Sequence, residues 1–251
     1  MEKVQRVTGS VPLIDREWLR RRSPIDVQKC GFEEFFGAIY EPGDRVLVFT
    51  RFTSQGDFLW WVGKGGFRLG DREGLRAVRS ELPGGAKCGV WFLSNPVDAG
   101  WHTTKHLDSG GRKLSRRSET SVTSFRYLVL ESDTLEEALW LKVLVKLPLP
   151  IVAIYTSGSK SIHALVHVGA ESKAEWDHTR NELRPLLTAL GADGAAMSAV
   201  RLTRLPFTLR RGSESRAGQY MEWKEPGRQE LLFLDATRDV KSIIFKPIQR
   251  D

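Results

Sequence analysis

The sequence predicts an α/β fold of the α+β kind, and three observations carry that prediction. Apolar runs of strand length alternate with longer segments of helical periodicity. One pair of runs, IVAIYTSGSKSIHALVHV, is joined by a Ser/Gly-rich turn and reads as an antiparallel hairpin. A chain of 251 residues with 41% hydrophobic content can also bury a substantial core.

In chain order, DREWLRRR (15–22) and FEEFFGAIY (32–40) have helical character, and the turn EPGD leads into a strand, RVLVFTRF (45–52). DFLWWV (57–62) is a second strand; its adjacent tryptophans Trp60 and Trp61 point to opposite faces, so packing accounts for at least one. A short helix is expected over 72–81 and a strand over CGVWFLSN (88–95). Residues 96–124 are rich in Gly, Ser, Thr and His and carry the basic run SGGRKLSRRSET, so they read as a long exposed loop with a functional role. This is the best internal boundary. It separates an N-terminal α/β module, 1–112, from a second module, 113–251, the two forming one compact domain.

The second module should contain strand 126–131, helix 135–146, strands 151–155 and 161–168, helix 173–190, and short strands near 200–203, 218–223 and 231–234. The long helix begins with a capping box from Ser172 to Glu175, stops at Gly191 and contains Pro185, a source of kinking. The second hairpin strand places Ser161, His163, Leu165 and His167 on one face, next to a turn bearing Lys160.

Charge and cysteine content narrow the function classes. Lys plus Arg exceeds Asp plus Glu by 38 − 31 = +7, which suits a polyanionic partner such as nucleic acid. Two cysteines, Cys30 and Cys88, are too few for a disulfide framework or a cysteine zinc cluster and point to a reducing, cytoplasmic setting. No apolar run has the length of a membrane span, and the N-terminus lacks a signal-peptide core, so no membrane role is expected.

The strand FRYLVLE ends in Glu131-Ser132-Asp133. Positions i and i+2 share a face, so Glu131 and Asp133 stand side by side, where two anions repel unless a cation or proton lies between them. The pair suits a divalent metal. The same residues also fit a strand that has simply ended, with Thr134 and Glu137 forming a capping box. VGKGG and SGSKS lack the spacing of a phosphate loop, and His102 and His106 lack a third zinc ligand.

YLVLESD, YTSGSKSIHALV and LGADGAAMSAVRLTRLP, in this order, resemble the three signature motifs of the archaeo-eukaryotic primase superfamily, most closely the small primase-polymerases of phages and plasmids. The likeness spans residues 88–235 and includes GVWFLSNPV and SRRSETSVTSFRYLVLESD. It implies an RRM-like catalytic antiparallel sheet in the second module, packed with the N-terminal module, with the active site in the cleft between them. Glu131, Asp133 and a third carboxylate, Asp193 in preference to Asp235, would hold two Mg2+ or Mn2+ ions. His163 and Ser161 would face the incoming nucleotide, with Lys160, Arg201 and Arg204 supplying charge near triphosphate or template. Arg112, Lys113, Arg116 and Arg117 are the candidate nucleic-acid contacts. Two departures stand out: Glu131 replaces the usual Asp, and Phe207 stands where the family's R-L-P-G has glycine.

The expected function is template-dependent priming and polymerisation of nucleoside triphosphates on single-stranded DNA, in a bacterial cell or phage-infected host, with a replicative helicase as a further partner. The alternatives are a non-catalytic replication-initiator or single-strand-binding module of the same fold, and a metal-dependent nuclease. Retention of all three acids and Ser-x-His favours catalysis, because an unneutralised carboxylate cluster would repel phosphate.

Overall fold

The strand β7, Phe125–Glu131, divides its side chains between two cores, and the rest of the architecture follows from that division. Leu128 and Leu130 pack on a helical layer, whereas Tyr127 and Val129 pack on the opposite side, as strand alternation requires. The computed structural model describes residues 14–49, 58–61, 68–69, 87–98, 100–108, 111–215 and 219–237, with residues 4 and 9.

The helical layer comprises α1 (Arg16–Arg20), α3 (Glu137–Lys146) and α4 (Lys173–Ala189). It buries Leu19, Trp140, Leu144, Trp176 and Leu187 against one face of a four-stranded antiparallel sheet ordered β13-β8-β9-β7. Here β8 is Ile151–Thr156, β9 is Ile162–Ala170 and β13 is Leu231–Leu234. Each large apolar side chain buried in this way contributes about 1.5–3 kcal/mol before entropy is counted. On the far face, Tyr127, Val129, Tyr155 and Leu165 meet α2 (Phe32–Ile39) and a five-stranded antiparallel sheet ordered β10-β4-β1-β2-β3. Its strands are β1 (Arg45–Phe49), β2 (Phe58–Trp61), β3 (Arg68–Leu69), β4 (Trp91–Leu93) and β10 (Leu202–Arg204). Because β10 pairs with β4, a segment of the second module completes a sheet begun in the first. Asn95 locks this junction. Its side chain is fully buried, donates to Tyr127 O (3.1 Å) and Ala199 O (3.0 Å), and accepts from Arg126 N (2.9 Å) and Tyr127 N (2.8 Å).

Several local expectations are corrected. Within 96–124 the chain is not one long loop: β5 (His102–Asp108) and β6 (Gly111–Ser115) form a hairpin, followed by a single 3-10 turn at Glu119–Ser121. Cross-strand pairing of mostly polar residues builds the hairpin, so no apolar alternation marks it. The Thr134–Glu137 capping box does not form. Helix α3 starts at Glu137 without a side-chain cap, and Ser132 Oγ instead accepts from Leu135 N at 3.1 Å. At α4, Ser172 Oγ accepts from Glu175 N at 3.2 Å, but Glu175 reaches back to Glu171 N, one residue before the cap. The helix expected over 72–81 lies outside the described residues. A second hairpin, β11 (Leu209–Glu214) with β12 (Tyr220–Arg228), follows β10. Among the described residues no helix is long and apolar enough to cross a membrane.

Candidate active site

β7 presents Glu131 on the face turned toward the five-stranded sheet, opposite His163 in the β7–β9 register. Asp133 follows just beyond the strand, where Ser161 Oγ donates to its Oδ1 at 3.3 Å. Asp193 arrives from the end of α4. Gly191, at φ +98°, adopts the left-handed conformation that ends the helix, with Gly191 N bonded to Thr188 O and Ala192 N to Leu187 O, each at 3.0 Å. Asp193 N then donates to Glu131 O at 2.8 Å, and Asp193 Oδ1 accepts from Ala195 N at 2.9 Å. One oxygen from each of Glu131, Asp133 and Asp193 lies within 4.8 Å of the others. At that spacing two carboxylates repel by roughly 3 kcal/mol at an effective dielectric of about 20, so the trio favours a cation.

Asp235 is elsewhere. It follows β13 beside Val152, and its Oδ1 accepts from Thr237 N and Oγ1 at 2.8 and 2.6 Å, a turn-forming role.

His163 is buried and stacks on Tyr155, with ring centroids 5.8 Å apart. Its Nδ1 lies 3.2 Å from Glu131 Oε2 and 3.0 Å from Thr203 Oγ1, and the Thr203 hydroxyl shares a 2.7 Å hydrogen bond with Tyr155. Burial, with the charges of Arg204 and Arg210, pushes the histidine down to about 3, so the ring is neutral at physiological pH. Burial likewise raises the Tyr155 phenol and keeps it protonated.

Cations face the acids across a pocket of about 210 Å3 that includes Trp91, Arg117, Glu131, Asp133, His163, Arg201, Arg204 and Arg210 in its walls. Arg201 pairs with Glu131 and lies 3.9 Å from Asp193 Oδ2, while its Nε is buried without a hydrogen-bond partner. Arg204 stacks 3.8 Å over Trp91 and donates to Cys88 O at 2.6 Å. Burial first, then Arg210, lowers its guanidinium to about 8. Arg210 stacks on Trp223 at 4.6 Å and donates to Gly212 O at 3.1 Å. Among the described residues, neither Arg204 nor Arg210 has a carboxylate partner. Two desolvated, mutually repelling cations in one wall are chemically suited to an anion. Gly89, at φ +82°, lets them close in: a Cβ there would lie 2.9 Å from Arg204 Nη1 and 3.2 Å from Arg210 Cβ.

No protein-family model, curated protein or solved structure matches this chain. The site therefore stands on its own geometry. Of the residues singled out from sequence, Glu131, Asp133, Asp193, Ser161, His163, Arg201 and Arg204 come together around the acids and the pocket. Arg117 joins them, donating to Val200 O at 2.9 Å, with burial lowering it to about 10. Lys160 instead points outward on the exposed β8–β9 turn. Arg116 stacks on Trp101 at 4.9 Å, and the side chains of Arg112 and Lys113 lie outside the described residues. Sequence reasoning missed Trp91, Thr203 and Arg210. Thr203 and Arg210 could have been suspected, since they lie beside Arg204 and after the R-L-P turn; Trp91 carries no such signal.

Chemically, the three carboxylates offer hard oxygen ligands of the kind Mg2+ and Mn2+ prefer, and Arg201 shows that a positive group is accommodated between Glu131 and Asp193. The donor set fits a divalent ion.

Proposed function

We propose that the chain is a template-dependent DNA primase-polymerase that transfers nucleotides from nucleoside triphosphates on single-stranded DNA. The observation that supports this most directly is convergence. Residues of all three family-like stretches meet at one pocket, Glu131 and Arg201 touching across 70 positions and Asp133 and Ser161 across 28.

Glu131, Asp133 and Asp193 would hold the Mg2+ or Mn2+ ions, which when bound activate a 3′-hydroxyl and stabilise the leaving pyrophosphate. The chain's own groups do the rest. Ser161 orients Asp133 through its hydroxyl, and Thr203 and Tyr155 hold the neutral His163 ring in place. Arg204 and Arg210 offset charge on the triphosphate from fixed positions, where preorganised donors act most strongly. Arg201 can exchange its hold on Glu131 for phosphate as ions enter.

The RRM-like reading belongs with this proposal. β7-α3-β8-β9-α4 follows the β-α-β-β-α order. The sheet departs from an RRM in placing β13 beside β8 and leaving β7 at an edge. The deciding experiment is nucleotide incorporation on primed and unprimed single-stranded templates with Mg2+ or Mn2+. Product extension that requires template and metal is expected. Degradation of the labelled strand without nucleoside triphosphates would instead identify a nuclease.

A further inference from the structure

We propose that the outer face of the β5–β6 hairpin is a stacking platform for single-stranded DNA, with Trp101 taking a base and Arg116 a phosphate; this rests on the template-dependent reading above. The register pairs His102 with Ser115 and Thr103 with Leu114. Alternation, continued one residue at each end, sets Trp101, Thr103, Leu114 and Arg116 on one face and His102 and Ser115 on the other.

The inner face is accounted for: Ser115 is buried, and His102 Nε2 lies 2.8 Å from Asp98 Oδ2. Among the described residues, the outer face is open. Trp101 is 48% exposed and Leu114 51% exposed, a large aromatic and an aliphatic side chain held in water. Arg116 lies 4.9 Å over the Trp101 ring, its Nε is buried without a hydrogen-bond partner, and no carboxylate pairs with it among the described residues. An aromatic face beside an uncompensated guanidinium, on a chain of net charge +7, complements a base and its phosphate. The surface also leads to the site, because the next residue, Arg117, turns inward and lines the pocket. The platform thus adjoins the stretch of chain that supplies Arg117 to the pocket wall.

The test is fluorescence anisotropy with a labelled oligo(dT) over a salt series. Trp101→Ala should weaken binding about 5- to 100-fold, the cost of one lost base–aromatic stack, and Trp101→Phe should retain much of the affinity. Arg116→Gln should lower the salt slope by about 0.7. Binding by Trp101→Ala within twofold of wild type would overturn the platform, as would an unchanged slope in Arg116→Gln. Should Trp101→Ala fail to fold, photocrosslinking of the wild-type protein to an iododeoxyuridine oligonucleotide decides: an adduct on Trp101 supports the platform, and adducts confined to other residues overturn it. Incorporation measured in parallel separates the two proposals. Wild-type synthesis with unaltered Trp101→Ala binding removes the platform alone, whereas Trp101-dependent binding without any synthesis removes the polymerase reading alone.

Discussion

Asp193 and Asp235 each follow a short apolar stretch, yet their surroundings assign them different work. Asp193 has a backbone bond to Glu131 and an oxygen within 4.8 Å of the other two acids, whereas Asp235 satisfies Thr237 in a turn. Asp193→Asn should therefore lower incorporation about 100-fold or more, the scale of losing a metal ligand, while Asp235→Asn leaves the rate near wild type. Steady-state incorporation with both variants checks the contrast. Phe207 supplies a second test at this scale. It follows Pro206 with φ +71°, a conformation costing a non-glycine residue about 1–3 kcal/mol, and its ring packs edge-on against Phe35 at 6.3 Å. Phe207→Ala keeps the strain and loses the packing; Phe207→Gly loses the packing and relieves the strain. The glycine variant should be the more stable of the two by about 1 kcal/mol in urea unfolding, the reverse of their usual order. The glycine of the R-L-P-G pattern was thus a readable hint about backbone conformation.

Elements were legible where burial writes a period into the sequence. The β8–β9 hairpin shows apolar residues on both faces because cores lie on both sides of its sheet, and α4 announces itself through Ser172 and Gly191. The β5–β6 hairpin was not legible, since its strands HTTKHLD and GRKLS carry polar residues at both phases. The start of α3 was misread for a different reason: Thr134 is a preferred capping residue, yet Ser132 Oγ takes the Leu135 amide and the helix begins at Glu137 with no side-chain cap. The join between β4 and β7 can be tested directly. Replacing Asn95 by Leu removes four hydrogen bonds, taking the side-chain acceptor from the Arg126 and Tyr127 amides and the donor from Ala199 O, while Tyr127 O keeps the Trp176 indole. The expected loss is about 3 kcal/mol or more, read as a lower midpoint in chemical denaturation.

At the scale of the whole molecule, two sheets share a core and close the pocket between Glu131 on one and Arg204 on the other. The three acids repel one another, so an ion bound by them should add stability in proportion to its occupancy. Mn2+ at about 100 times its Kd should contribute about 2.7 kcal/mol, visible as a raised Tm, and a chelator should reverse it. Asp133→Asn should lose most of that shift, whereas Asp235→Asn should show all of it; equal shifts in both variants would place the ion elsewhere.

The amino-acid order alone determined the strands β7, β8 and β9, the helix α4 with its ends, and that acids at 131, 133 and 193 accompany Ser161 and His163. Those features are local, set by periodicity and backbone preference over a few residues. Only the tertiary structure decided that β10 pairs with β4, that Arg204 and Arg210 share one wall without a carboxylate among the described residues, and that Arg117 turns inward while Lys160 faces outward. The reason is that desolvation and ion pairing depend on neighbours far along the chain, such as Thr203 beside Tyr155 across 48 positions, and no short window of sequence contains both members of such a pair.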